Sequence, residues 1–221
     1  MSKADIGRPA GSSEPRPSRA SAARLSLYLR QLELFRREGV AKVSSRLLAA
    51  ALGLGDAQVR RDLAQLGGVG HPGIGYPTAE LIGAIRQTLG LDREWPVVLV
   101  GVGNLARALL RYEGFRRQGF RIGAVFDCDP AKVGQTVEGL TVQPIEHLPS
   151  RVAALRAEIG IVTVPSEAAQ SVTDRLIEAG VRGILNFAPV LLRLPAGVTQ
   201  VSVDLSVQLE QLAFLIQLGG E

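Results

Sequence analysis

The run Val97-Val98-Leu99-Val100-Gly101-Val102-Gly103-Asn104-Leu105-Ala106 decides how this chain is read. A short, wholly apolar strand ends in a Gly-x-Gly-x-x-Ala turn, and Arg107, Ala108, Leu109 and Leu110 continue it as a helix. That is the strand–turn–helix opening of a dinucleotide-binding fold. Gly101 permits the tight turn. Gly103 has no side chain, so the backbone can approach a pyrophosphate, and Ala106 lets the helix lie close to the sheet. Val102, Asn104 and Leu105 complete the turn, whose amides at the helix N-terminus suit phosphate. Ile122-Gly123-Ala124-Val125-Phe126 reads as the next strand and ends at Asp127, about 20 residues past the turn, where a ribose carboxylate belongs. A carboxylate there accepts from ribose hydroxyls and repels a 2′-phosphate. The expected coenzyme is therefore NAD(H), as NADH and NAD+, rather than NADP(H).

Downstream, strands at 141–143, 159–164, 183–187 and 199–203 alternate with helices at 148–157 and 167–179, the second capped by Ser166. Helix one is expected over 104–117. This rhythm predicts a parallel, doubly wound α/β sheet, with ligands at the strand C-termini. Val164, Pro165, Asn186, Phe187 and Ala188 stand at two of those ends and are candidates for the nicotinamide half. An apolar pocket there favours NADH, because the NAD+ ring is a cation that resists desolvation without a counter-charge. The last segment, opened by Asp204, is apolar on nearly every side: Leu205, Val207, Leu209, Leu212, Phe214, Leu215, Ile216 and Leu218. A helix of that kind must be covered all round. The simplest cover is a second subunit, so this helix is expected to be swapped in a homodimer, with Leu205, Leu209 and Leu212 in the contact.

The formal charge of +4 is unevenly spread. Residues 1–91 carry 13 Lys and Arg against 7 Asp and Glu, whereas residues 92–221 carry 12 against 14. A basic front half suggests a polyanionic partner. The single cysteine, Cys128, excludes an internal disulfide, and with only His71 and His147 as histidines no metal cluster is expected. One cysteine fits a reducing, cytoplasmic setting, and no stretch resembles a membrane span or signal peptide.

Residues 1–20 are rich in Pro, Ser, Gly and Arg and are expected to be disordered. From 21 to 91, a DNA-binding domain is predicted. A first helix, 21–38, places Leu25, Tyr28, Leu29, Leu32 and Phe35 on one face. Ser44 or Ser45 caps a second, 46–52. After Gly53-Leu54-Gly55, Asp56 is expected to cap a third, 57–66. Two short helices joined by a glycine turn form a helix-turn-helix, and the third helix would read DNA. Val59 and Leu63 face inward, leaving Gln58, Arg60, Arg61 and Gln65 outward. Either arginine can read guanine or hold phosphate. The glycine-dense run 67–76 suits a hairpin, a wing with His71 at its tip. Ser44, Ser45, Gln58, Arg60, Arg61, Gln65 and His71 are the candidate DNA contacts. A fourth helix follows Pro77, and 92–203 forms the coenzyme domain, with 204–221 the terminal helix.

Over about residues 24–216 the chain resembles the Rex family of bacterial redox-sensing repressors. The residues that carry the resemblance are Gln58-Val59-Arg60-Arg61-Asp62-Leu63, Gly73-Ile74-Gly75-Tyr76, Leu91-Asp92-Arg93-Glu94-Trp95, the glycine turn, Tyr112-Glu113-Gly114-Phe115, Phe126-Asp127, Glu167-Ala168-Ala169-Gln170 and Ile184-Leu185-Asn186-Phe187-Ala188-Pro189-Val190. The resemblance implies a winged helix, a Rossmann domain and a swapped C-terminal helix. It also implies a homodimer on a pseudo-palindromic double-stranded operator, released when NADH binds, with NAD+ competing for the same site. It assigns Tyr112 and Asp204 to the switch between subunits. Three departures stand out: Ala64-Gln65-Leu66 ends the reading helix, His71-Pro72 sits at the wing tip, and Ala106 replaces a glycine. The first two leave the operator sequence open. The competing readings are a small NAD-dependent oxidoreductase and a CoA-type binding module without a DNA role. Against the enzyme, no substrate domain remains beside the coenzyme domain, and no lysine stands one turn from Tyr112 to activate it.

Overall fold

The computed structural model describes residues 17–69 and 75–219. The chain divides into two compact units, Met1–Asp92 and Arg93–Glu221.

In the first unit, α1 (Arg19–Arg37) starts where Ser18 accepts from the Ser21 amide. Its buried stripe of Leu25, Tyr28, Leu29, Leu32 and Phe35 forms one core with Leu48, Val59, Leu63, Leu81, Ile82 and Ile85. The partners come from α2 (Ser45–Leu52), α3 (Asp56–Ala64) and α4 (Thr78–Thr88). Each fully buried Leu or Ile contributes about 1.5–3 kcal/mol. Gly53, in the left-handed region at φ 65°, ends α2 and turns the chain into α3. The expected Asp56 cap is not formed: Gly55 is the N-cap, and Asp56 lies in the first turn. Its carboxylate is engaged instead by the Ser45 hydroxyl and by Arg60.

Of the run 67–76, expected to form a hairpin, residues 70–74 lie outside the described residues. Two short strands, β1 (Lys42–Val43) and β2 (Tyr76–Pro77), pair antiparallel, so the returning strand bonds to the segment before α2. Thr78 fixes this junction, its amide donating to Ala41 O and its hydroxyl to Val40 O. The tip, with His71, lies outside the described residues.

The second unit is a seven-stranded sheet. In chain order its strands are β3 (Trp95–Val100), β4 (Phe120–Asp127), β5 (Thr136–Val137), β6 (Leu140–Pro144), β7 (Ile159–Val162), β8 (Gly183–Asn186) and β9 (Thr199–Ser202). Their order across the sheet is β5-β6-β4-β3-β7-β8-β9, and all pairs are parallel except β5–β6. From β6 to β9 this is the doubly wound Rossmann arrangement, whose switch point lies between β3 and β7. The antiparallel β5 was not anticipated; its two residues are too few to carry an alternating pattern.

Helices α7 (Leu148–Leu155) and α8 (Ser166–Glu178) cover one face, over Val98, Val100, Phe126, Val162 and Ile184. Ser166 does not cap α8; Pro165 holds the N-cap position without a side-chain bond. On the other face, the single helix expected over 104–117 is broken into α5 (Asn104–Arg111) and α6 (Glu113–Arg117). The break is at Tyr112, whose ψ of 98° leaves the helical region. Tyr112 meets Phe115 edge to face at 5.2 Å. Its ring occupies the space a Cβ on Gly114 would need. The last helix, α9 (Leu205–Leu218), buries none of its residues. None of these helices is long and apolar enough to cross a membrane.

Candidate functional site

The glycine turn sits at the C-terminal end of β3, facing the end of β7. Gly101 adopts φ +96°, and a Cβ there would fall 2.7 Å from Val164 Cγ1 and 2.8 Å from Thr163 O. Only glycine closes this turn. Thr163 braces it, its hydroxyl donating to Gly101 O at 2.7 Å and to Val100 O at 3.0 Å. Gly103 differs: a Cβ on it would meet nothing within 4 Å. Gly103 is the N-cap of α5, and the open space beside it belongs to the cleft at the end of β3.

A cleft of about 560 Å³ opens at this point. Gly101, Val102, Gly103, Leu105, Asp127, Val164, Pro165, Phe187 and Ala188 all line it. Three expected contacts do not. Ala106 is fully buried beneath α5 and packs on the sheet. Asn104 opens α5 but is absent from the cleft wall. Asn186 is fully buried, and its amide is consumed locally, donating to Ala188 O and Val190 O and accepting from the Ala188 amide. It shapes the loop that carries Phe187 and Ala188.

Asp127, 6% exposed, is held by three donors. The Val102 amide reaches Oδ2 at 2.7 Å, the Asp129 amide reaches Oδ1 at 2.9 Å and Lys132 Nζ reaches Oδ2 at 3.0 Å. Burial pushes this carboxyl up, but the Asp129 amide, Lys132 and the Val102 amide outweigh it and hold it below the ordinary range. Sequence reading missed Thr163 and Lys132. The Asp129-Pro130 turn was the available signal for Lys132, since it folds the chain back toward Asp127. The strand order puts Asp127 and Lys132 at one end of the cleft and Phe187 and Ala188 at the other. The second end is also lined by Pro165, Ala168 and Val172.

In the first unit, Arg60, Arg61 and Gln65 stand exposed on or just after α3. Ser44 is the N-cap of α2, accepting from the Leu47 amide at 3.0 Å, and Ser45 donates to Asp56. Their hydroxyls already hold the helix-turn-helix together. Asp62, 1% exposed, is an acid to which the sequence reading assigned no role of its own. Arg24 grips it with Nε at 2.6 Å and Nη2 at 2.8 Å, and Tyr28 donates at 2.7 Å. The Arg24 guanidinium holds the Asp62 carboxyl below its usual range against the opposing effect of burial. Burial and the bond to Asp62 push Tyr28 up to about 12. No local pattern signals this, because the partners lie 34 and 38 residues away.

Tyr112 is 53% exposed. Asp204 caps α9, accepting from the Ser206 amide at 2.9 Å and the Val207 amide at 3.4 Å. Leu205, Leu209 and Leu212 are exposed along α9. Among the described residues no cluster of His, Cys, Asp or Glu could hold a metal.

Known proteins match both units. Residues 18–64 fit a family profile described as "Putative DNA-binding protein N-terminus", and residues 92–190 fit one described as a CoA binding domain. The redox-sensing transcriptional repressor Rex of Streptomyces avermitilis is 46% identical over 94% of this chain and 82% of its own length. That of Desulfitobacterium hafniense is 47% identical over 88% and 93%. This chain belongs to the Rex family of redox-sensing transcriptional repressors. A Rex-family repressor, RSP, crystallised with NAD+ and operator DNA, superposes with a TM-score of 0.86 at 33% identity, covering 93% of this chain and 98% of that one. RSP with NADH superposes at 0.83 and 32% identity, over 92% and 96%. The CoA-type profile over the Rex Rossmann unit reflects the shared fold, since fold alone does not set the ligand.

Proposed function

We propose that this Rex-family chain represses transcription as a homodimer, holding operator DNA with α3 and releasing it when NADH enters the cleft beside Gly101 and Gly103. It acts as a cytoplasmic regulator, not an enzyme. The observation that carries the reading is the open space beside Gly103, in the cleft at the end of β3. The bound coenzyme supplies the redox signal as a change in its ring charge. Gly101, Val102, Gly103 and the α5 amides would hold its pyrophosphate, and Asp127 would accept from a ribose hydroxyl. Val164, Pro165, Phe187 and Ala188 would enclose the nicotinamide ring. Among the described residues, no charged side chain lines that end of the cleft. A cationic ring is therefore desolvated there without compensation, which favours the reduced form.

The dimer reading rests on two apolar surfaces of the second unit. The face of β7, β8 and β9 opposite α8 carries Ile159, Ile161, Leu185 and Val201, and a nearly wholly apolar hollow of about 360 Å³ lies over it. In a full Rossmann fold a helix covers that face. The chain's own α9 does not bury there, and Leu209 and Ile216 are 66% and 67% exposed. A lone helix of 14 residues is marginal in water. Exchange of α9 between two subunits satisfies both surfaces. The double substitution Leu209→Glu with Leu212→Glu should weaken the dimer at least about 100-fold, since it buries two unpaired carboxylates in the contact. Sedimentation velocity checks this: a species of single-chain mass is expected, and an unchanged dimer would remove α9 from the interface.

Affinity for duplex DNA measured between about 50 and 200 mM salt tests the DNA reading. A steep fall is expected, its slope reporting the phosphates neutralised by the basic front unit. A flat or absent response would favour a coenzyme-binding module with no DNA role.

A further inference from the structure

The buried acid of α3 does more than pin that helix to α1. Asp62 receives four hydrogen bonds, from Arg24 Nε, Arg24 Nη2, the Tyr28 hydroxyl and Gln58 Nε2, the last at 3.0 Å. Four donors fill the acceptor sites of a carboxylate. Because Asp62 is ionised and can only accept, the Gln58 amide has one orientation here: its NH2 faces Asp62 and its oxygen faces outward. That oxygen accepts from Arg61 Nη2 at 3.0 Å. A chain of hydrogen bonds thus runs from the core through Gln58 to an exposed guanidinium.

We propose that Gln58 is a positioning residue, held by Asp62, that aims Arg61 at a base edge. The proposal rests on the DNA-binding reading above and assigns the two neighbouring arginines different work. Arg60 pairs with the Asp56 carboxylate at 2.6 Å and is 63% exposed. Its charge is partly compensated and must leave a carboxylate to meet DNA, which suits a phosphate contact. Arg61 leans on a neutral amide oxygen. It keeps its full charge and its remaining N–H groups, the fork that a guanine edge accepts bidentately. Fixing the guanidinium before contact removes rotamer entropy that binding would otherwise cost.

The test uses the full chain and the duplex that the wild-type protein selects from a random pool, beside a scrambled duplex at the same salt. Gln58→Met keeps the stem and volume and removes both hydrogen bonds; Gln58→Ala, with thermal unfolding recorded, is its companion. Gln58→Met is expected to lower affinity for the selected duplex roughly three- to tenfold. The scrambled duplex should change less than about twofold, with the salt slope intact, because phosphate contacts carry no sequence information. In an Arg61→Ala background the same substitution should cost nothing further. Full loss persisting in that background would mean that Gln58 touches DNA itself and would overturn the proposal. So would equal loss on both duplexes, or no loss. If the wild type selects no sequence at all, the DNA-binding reading fails, and the proposal with it; if it selects one and Gln58→Met is silent, only the relay fails.

Discussion

Gly103→Ala should fold as the wild type does and lose roughly 10- to 100-fold in NADH affinity. The methyl group enters free space in the protein, where a Cβ meets nothing within 4 Å. Its cost falls on the complex, as the 1–3 kcal/mol of forcing a methyl into filled volume. Gly101→Ala should do the opposite. Its Cβ falls 2.8 Å from the Thr163 carbonyl oxygen, and its φ of +96° strains any L-residue. The second unit should then lose about 2 kcal/mol or more of stability before any ligand is added. Denaturant unfolding together with coenzyme fluorescence separates the two. Equal effects on stability from both substitutions would remove Gly103 from the ligand site.

Asp62→Ala should cost the first unit about 3 kcal/mol or more, because it breaks a buried ion pair by removing one partner. The side chain lost is 1% exposed, and Arg24, Tyr28 and Gln58 lose their common acceptor. The same group sets a pH response. Its carboxyl lies below the ordinary range in the folded chain. It therefore contributes stability above the unfolded carboxylate value of about 4, and that contribution is lost as pH falls from there through the folded value. Tyr28 acts at the other end: its rise to about 12 makes stability fall as pH climbs from about 10 toward 12. Urea melts of wild type and Asp62→Ala at pH 7 and pH 3 should converge on acidification. A difference between them that is unchanged at pH 3 would mean the carboxylate is not the stabilising group.

Much of this was legible in the sequence where one residue or one period dictates geometry. The apolar run before Gly101, the glycine spacing and Asp127 specify β3, the turn and the end of β4, because a buried strand and a tight turn each require those residue types and Asp127 ends the apolar run of the next strand. The stripe from Leu25 to Phe35 specifies α1 in the same way. The all-round apolarity of α9 was legible too, and the helix buries none of its residues here. What escaped depends on contacts distant in sequence or on competition between local options. The Asp62 cluster joins residues on different helices. Asp56 and Ser166 are good caps by type, yet the backbone begins each helix at the residue itself, so its side chain serves elsewhere or not at all. Helical spacing continues past Tyr112, but the chain leaves the helix there and the ring settles over Gly114. Asn186, a polar residue at a strand end, satisfies its own loop.

A homodimer that converts the redox state of its coenzyme into DNA release must favour NADH in one arrangement and DNA in another. Reversing a strongly biased equilibrium needs about 10⁴-fold differential affinity. Two reading helices must also sit about 34 Å apart to meet successive major grooves. The most direct measurement is fluorescence anisotropy of the selected duplex at fixed total coenzyme, while the NADH fraction is stepped from zero to one. Release should follow the NADH fraction, with NAD+ alone leaving the complex bound. Binding that stays constant across the whole series would contradict the account.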